Sequence, residues 1–273
     1  MRHDYYYYNK EQLLAAPRLP IAVMEDNAAV FQAMAREMAE EIRRKNALGE
    51  RTVFICPVGP VGQYPYFVEL VNRERISLKD VWFLNMDEYL TDEKTWIPKE
   101  DPLSFRGFMD RAVYTKIDPE LVMPETQRIF PDPRDPENMA RVIQALGGVD
   151  ICFGGIGING HVAFNEAQDE LTPEAFRALP TRVLEISRET RTANAIGDLN
   201  GAVDDMPRWC VTIGMREIYG ARKVRLGCFR DWHRAVARHA AYGEVSAHFP
   251  VTLLQEHPDA LLRITEFVAN LPE

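Results

Sequence analysis

Residues 150–166 read Asp150-Ile151-Cys152-Phe153-Gly154-Gly155-Ile156-Gly157-Ile158-Asn159-Gly160-His161-Val162-Ala163-Phe164-Asn165-Glu166. The stretch opens as an apolar run, which is typical of a buried strand in a parallel sheet. Four glycines then fall within seven positions, so the backbone can turn sharply and approach a ligand closely. Asn159, His161 and Glu166 add an amide, an imidazole and a carboxylate. Open α/β sheets build their ligand crevices at such strand ends, so this stretch predicts both a sheet and a site.

A second apolar run ends in two carboxylates. Residues 81–86 are apolar except for Asn85, and Asp87 and Glu88 follow directly. Parallel strands bring their carboxyl ends to a common edge, so these carboxylates are expected near His161. Two adjacent buried carboxylates raise one another's pKa, which suits a group that transfers protons.

The rest of the chain alternates strand and helix signals. Further strands are predicted at 21–24, 53–56, 182–186, 209–213 and 224–229, and helices at 27–46, 63–72, 103–114, 136–146, 231–242 and 258–269. This alternation predicts a three-layer α/β fold, a mostly parallel sheet with helices on both faces. No linker, repeat or charge block separates the halves, so residues 1–273 are predicted to form one domain.

Two segments leave alternatives open. Residues 1–19 are polar and Tyr-rich, which suits a flexible arm or an oligomer contact as well as a loosely ordered terminus. Residues 167–180 are polar and helix-prone and follow the glycine-rich stretch, so they suit a mobile lid or a fixed surface helix.

Composition excludes several classes of protein. The net charge of −9 argues against a nucleic-acid partner. No apolar run approaches 18 residues and no signal peptide is visible, so no membrane partner is expected. The cysteines have no metal-ligand spacing and read as core residues in a reducing compartment, which favours the cytoplasm; they are Cys56, Cys152, Cys210 and Cys228.

Two motifs closely resemble those of the glucosamine-6-phosphate deaminases: Asn85-Met86-Asp87-Glu88-Tyr89 and Gly160-His161-Val162-Ala163-Phe164-Asn165-Glu166. Supporting likenesses follow in the same order at 104–109, 190–194 and 254–258. The resemblance implies a Rossmann-like fold, shared with the 6-phosphogluconolactonases, and aldose–ketose isomerisation with release of ammonia. It also implies a small sugar phosphate as substrate, no metal or organic cofactor, and a homo-oligomer.

The resemblance assigns roles to the polar residues. His161 would open the sugar ring, because its ordinary pKa lies near neutrality. Glu166 would orient His161, and Asp87 would carry a proton between C2 and C1 of the sugar. Glu88 would tune Asp87 or bind a hydroxyl.

The chain departs from the family pattern at two places. The family usually has Asp where this chain has Asn159, which can accept a hydrogen bond from His161 but supplies no charge. Asn159-Gly160 is also a sequence in which the amide can deamidate to Asp. The loop at 58–62 has no hydroxyl and includes Pro60, which has no N–H to offer a phosphate.

The sequence offers four further residues as candidates for substrate binding. Gly59 and Gly155 would let the backbone approach the substrate, and Arg191 keeps a family arginine that holds an anion. A family lysine falls near His233, with Arg230 and Arg234 as neighbours that can substitute. Two alternatives to the deaminase stay open: a 6-phosphogluconolactonase-like hydrolase and a catalytically attenuated sugar-phosphate-binding protein.

Overall fold

The computed structural model describes residues 3–272. The strands are β1 Ile21–Met24, β2 Thr52–Cys56, β3 Val81–Asn85, β4 Asp87–Leu90, β5 Arg128–Ile129, β6 Ile151–Gly155, β7 Arg182–Glu185, β8 Trp209–Thr212, β9 Lys223–Cys228 and β10 Ala260–Thr265. The α-helices are α1 Lys10–Ala15, α2 Asn27–Ala47, α3 Gln63–Glu74, α4 Phe105–Met109, α5 Asn138–Leu146, α6 Pro173–Arg177, α7 Arg188–Asp198, α8 Met215–Tyr219, α9 His233–Tyr242 and α10 Glu266–Ala269.

The main sheet has seven parallel strands in the order β1-β10-β9-β6-β2-β3-β5. Successive side chains of a strand enter opposite faces, and both faces are covered. Phe54 packs in the core on one face, whereas its neighbour Ile55 packs in the core on the other. The predicted Rossmann-like α/β fold class is therefore confirmed.

A second, smaller sheet lies beside the first and was not predicted. It is antiparallel, with the order β4-β8-β7. Asp87 lies just past the end of β3 and begins β4, where it is opposite Thr212 of β8. Buried residues such as Tyr89, Phe164 and Cys210 form a separate core there.

One predicted helix is wrong. Residues 258–269 were expected to be helical, but Ala260–Thr265 is β10, and only Glu266–Ala269 is helical. The strand fills the gap between β9 and β1, where ladder hydrogen bonds on both edges outweigh the local preference of an Ala- and Leu-rich run.

The two ambiguous segments contact the body of the protein. The described part of the N-terminal segment buries Leu13 and Leu19, and the Tyr6 hydroxyl lies 2.7 Å from Nδ1 of His239. The segment after the glycine-rich stretch forms the short helix α6, with Phe176 fully buried.

The structure also bears on the cysteines and on membrane-spanning helices. All four cysteines are free and buried. None of the helices between residues 3 and 272 is long and apolar enough to cross a membrane.

Candidate functional site

The loop after β6 is shaped by its glycines. The Gly157 N–H donates to the His161 carbonyl at 2.9 Å, and the Gly160 N–H donates to the Gly157 carbonyl at 3.0 Å, so the loop closes on itself. Gly160 has a φ of 81°, a conformation that favours glycine. The Phe249 ring covers Gly160 so closely that a side chain there would overlap it. The loop therefore holds His161 at the carboxyl edge of the sheet.

Three predicted residues meet in this loop. Nδ1 of His161 donates to Oδ1 of Asn159 at 2.7 Å, and Nδ2 of Asn159 donates to Oε2 of Glu166 at 2.7 Å. Nδ1 of His161 and Oε2 of Glu166 are 3.8 Å apart. The structure thus brings together an imidazole, an amide and a carboxylate in a continuous hydrogen-bonded row.

Helix α7 supplies two further groups that the sequence analysis did not assign. Thr190 donates its hydroxyl to Oε2 of Glu166 at 3.1 Å and lies 3.3 Å from Nδ1 of His161. The backbone N–H of Ser187 donates to Oε1 of Glu166 at 3.3 Å, and the Ser187 side chain caps α7. Thr190 stands next to Arg191 in one of the supporting motifs, and that position was the available signal.

Burial and charge act in opposite directions on His161. Removal from water lowers the pKa of the His161 imidazole, and the negative charge of Glu166 acts against this. The net direction is downward, so the neutral ring is favoured. A neutral imidazole can take a proton from a sugar hydroxyl.

Asp87 is connected to the same region through Thr212 of the small sheet. Its partner Thr212 also accepts the backbone N–H of Phe164 at 3.0 Å, and the Phe164 ring stacks 6.1 Å from the His161 ring. Burial raises the pKa of Asp87 well above its ordinary value; the negative charge of Glu88 adds to this, and Thr212 acts against it. A carboxyl group of raised pKa suits proton transfer near neutral pH.

Glu88 is held differently from Asp87, because adjacent residues of a strand point to opposite faces. Its carboxylate is fully buried and accepts from the N–H groups of Phe105 and Arg106, from the Ser104 hydroxyl, and from Nε of Arg106, at 2.9–3.0 Å. It therefore caps the start of α4. A direct contact between Glu88 and a substrate hydroxyl would have to displace one of these donors.

Gly59 and Gly155 lie next to each other at the same sheet edge. A Cβ on Gly155 would lie 3.4 Å from the Gly59 carbonyl oxygen and 3.1 Å from Cδ of Pro60. Gly59 has a φ of 138°, which favours glycine. The side-chain amide of Gln63 donates to the Pro60 carbonyl at 2.8 Å and steadies this loop.

Some basic residues near the carboxyl edge of the sheet are already hydrogen-bonded within the protein, and others have unused donors. His233 belongs to the first group. The N–H groups of Phe229 and Arg230 donate to Nδ1 of His233 at 2.7 and 2.8 Å, and Nε2 of His233 donates to the Ile156 carbonyl at 3.1 Å. Burial lowers the pKa of His233 to about 3, so the ring is neutral. A direct contact with substrate would require one of these bonds to break, and in this geometry His233 anchors the start of the site loop.

Arg234 is also engaged elsewhere, whereas Arg230 and Arg191 have unused donors. Nε of Arg234 donates to the carbonyls of Phe267 and Asn270, near the C-terminus. The Arg191 Nε is buried with no hydrogen-bond partner. The exposed Arg230 side chain lies against α7, the helix that carries Arg191. Two guanidinium groups are therefore available to an anion. Within residues 3–272, no three His, Cys, Asp or Glu side chains are grouped as metal ligands would be.

No protein-family model matches the chain. Individual proteins do match it, and their names agree with the motifs. The glucosamine-6-phosphate deaminase of Phocaeicola vulgatus is 27% identical over 250 residues, which is 89% of this chain and 89% of that protein. The enzyme of the same name from Clostridium perfringens strain 13 is 27% identical over 254 residues, covering 92% of this chain and 98% of that protein.

Solved structures give the same result for the fold. A structure described as a monomeric glucosamine-6-phosphate deaminase of the NagB superfamily has a TM-score of 0.78 and 25% identity, covering 92% of this chain and 99% of that one. The 6-phosphogluconolactonase of Trypanosoma cruzi has a TM-score of 0.63 at 17% identity, covering 93% and 97%, and shares the fold alone. Over most of its length, in sequence and in fold, this chain is similar to the glucosamine-6-phosphate deaminases.

Proposed function

We propose that this chain converts an amino sugar phosphate, with glucosamine 6-phosphate as the first candidate, to a ketose phosphate and ammonia. The observation that carries the proposal is the convergence of two proton-transfer groups. His161 follows β6 and its ring stacks on Phe164, Asp87 begins β4 opposite Thr212, and the Phe164 N–H donates to Thr212, which links the two groups. The sequence relatives that bear the name of this activity support it.

Each group has a step that suits it. The neutral His161 takes the proton of the sugar's anomeric hydroxyl, and the ring opens as that proton is passed to the ring oxygen. Asp87 then removes the proton from C2 and delivers it to C1, while the C1 oxygen gains a proton and the nitrogen loses one. C1 thereby becomes an alcohol and C2 an imine, and water hydrolyses the imine to a ketone and ammonia.

The phosphate needs cations, because the loop at 58–62 has no hydroxyl donor. Arg191 and Arg230 are the candidates, since a guanidinium offers paired N–H groups to phosphate oxygens. Backbone N–H groups near Gly59 add neutral donors. His233 contributes by holding the loop that carries Arg230, and Glu88 by fixing the strand that carries Asp87.

The test is product formation by the purified protein. We expect equal amounts of ammonia and fructose 6-phosphate from glucosamine 6-phosphate. The His161→Ala change should lower kcat by roughly 10²–10⁴-fold, as expected for loss of an acid–base group. His248→Ala is the matched control, because His248 is exposed and paired with Asp169.

Other outcomes would overturn the proposal. Turnover of 6-phosphogluconolactone without any deamination, lost in His161→Ala, would assign the chain as a lactone hydrolase. Saturable binding of the sugar phosphate without turnover of either compound would assign it as a binding protein. The homo-oligomer stays a prediction, and sedimentation of the pure protein tests it.

A further inference from the structure

Asn159 occupies the place between the imidazole and the carboxylate, and its amide has one orientation there. Oδ1 faces the His161 N–H and Nδ2 faces Oε2 of Glu166. Reversing the amide would set its oxygen against the carboxylate, and two acceptors would then face each other. Thr190 and the Ser187 N–H also donate to Glu166, so this carboxylate is held as an acceptor.

The amide orientation fixes the tautomer of the histidine. The Oδ1 atom of Asn159 can only accept, so the hydrogen of the neutral imidazole must lie on Nδ1 of His161. The lone pair then lies on Nε2. Glu166 therefore sets the state of His161 through Asn159, without a direct hydrogen bond between them.

The amide also separates His161 from the negative charge. An aspartate at position 159 would place a full charge in hydrogen-bond contact with Nδ1, whereas Oε2 of Glu166 is 3.8 Å away. In the part of the chain that the structure describes, Glu166 is the one carboxylate within 4 Å of a His161 ring nitrogen. Gly157, Phe164 and Thr190, which also lie beside the ring, are uncharged.

The structure opposes conversion of Asn159 to aspartate. Deamidation requires the Gly160 nitrogen to attack the Asn159 side-chain carbon. The Gly160 N–H is bonded to the Gly157 carbonyl, and both ends of the Asn159 amide are held. These hydrogen bonds therefore favour retention of the asparagine.

We propose that Asn159 is a positioning residue that acts as a neutral spacer: it holds His161 in the Nδ1–H tautomer and keeps the charge of Glu166 one hydrogen bond away. The ring thereby presents Nε2 as a neutral base. For the reaction this rests on the proposed function, because the base is the one that opens the sugar ring. The tautomer and proton affinity of His161 can be tested without any substrate.

The experiment is a charge swap. The double variant Asn159→Asp/Glu166→Gln keeps the net charge. It also keeps the hydrogen bond between residues 161 and 159 and the one between residues 159 and 166, but the carboxylate now lies directly against His161. Imidazole ¹⁵N signals are followed against pH in the ligand-free protein, and the signal absent from His161→Ala identifies the ring. Asn138→Asp is the control, since it adds a charge at an exposed asparagine of α5.

We expect the Nδ1–H form in the unchanged protein and in Glu166→Gln, where the new amide oxygen still accepts from Asn159. The swap should raise the proton affinity of His161 by about tenfold or more, since an adjacent opposite charge commonly shifts a pKa by about one unit or more. Asn138→Asp should leave it unchanged. An Nε2–H tautomer in the unchanged protein, or equal proton affinity in the swap, would overturn the proposal.

Activity then separates this inference from the proposed function. If glucosamine 6-phosphate is a substrate, the acid limb of kcat/KM should move to higher pH in the swap, together with the ¹⁵N titration. If the protein turns over no sugar phosphate, the proposed function fails, and the ¹⁵N result still decides whether Asn159 is a spacer.

Discussion

The imidazole of His161 lies where a side chain of Gly157 would be. A Cβ built on Gly157 would overlap Cε1, Nε2 and Nδ1 of the ring. The Gly157 N–H also donates to the His161 carbonyl at 2.9 Å, so the two residues are joined through both backbone and ring. Gly157 is therefore required for the ring to stand against the loop.

This contact predicts a coupled effect on stability. Gly157→Ala should lower the free energy of unfolding by about 1–3 kcal/mol, the usual cost of overpacking. In a His161→Ala background the ring is gone, so the same change should cost much less. Urea unfolding of the four proteins measures the coupling. Equal costs in both backgrounds would show that the ring does not occupy this space.

Asp87 predicts a conflict between stability and activity. Its pKa is raised in the folded protein, chiefly by burial, so the folded state binds a proton more tightly than the unfolded state does. The stabilisation is therefore complete at low pH and is lost as pH rises from the ordinary pKa of Asp through the raised one. Asp87→Asn should remove this dependence, increase stability at neutral pH and abolish deamination. Urea midpoints from pH 4 to 8 test it, and parallel curves for the two proteins would contradict it.

Replacement of Glu88 should lower the stability of the protein, whereas replacement of Asp87 should raise it at neutral pH. Its buried carboxylate joins β4 to the first turn of α4 and pairs with Arg106. Glu88→Ala leaves Arg106 and the backbone donors unpaired, at a cost of about 3–5 kcal/mol. The measurement is the free energy of unfolding by urea, and Glu69→Ala is the control, since the Glu69–Arg73 pair is exposed. A small cost with a large loss of activity would mean that Glu88 acts on the substrate instead.

Local patterns predicted several strands of the main sheet well. The edge strand β1 is predicted at its observed bounds, and the inner strand β2 is within one residue. β2 is buried along its whole length, and a strand buried on both faces is a continuous apolar run. The pairing of β4 with β8 was not predictable in this way. It joins Asp87 to Thr212 across more than a hundred positions, and no local periodicity encodes such a register.

In the site, too, residues close together in the sequence were predictable, whereas side-chain directions were not. The order of polar residues after β6 indicated that Asn159, His161 and Glu166 act together, because a short loop keeps its residues close. Spacing could not indicate where longer side chains point. His233 reads as a basic group near the anion, yet its ring bonds the backbone at Phe229, Arg230 and Ile156.

The loop before α9 predicts which arginine holds the substrate's phosphate. Arg230 is exposed against α7, whereas Arg234 stacks 3.8 Å from the Phe267 ring and bonds nearby carbonyls. Arg230→Ala should raise KM for glucosamine 6-phosphate by about tenfold or more, since a charge-assisted hydrogen bond contributes roughly 1.5–3 kcal/mol. Arg234→Ala removes an equal charge four residues away and should leave KM unchanged. Unphosphorylated glucosamine as a competitor should inhibit both variants equally. A raised KM in Arg234→Ala alone would place the phosphate on the other side of α9.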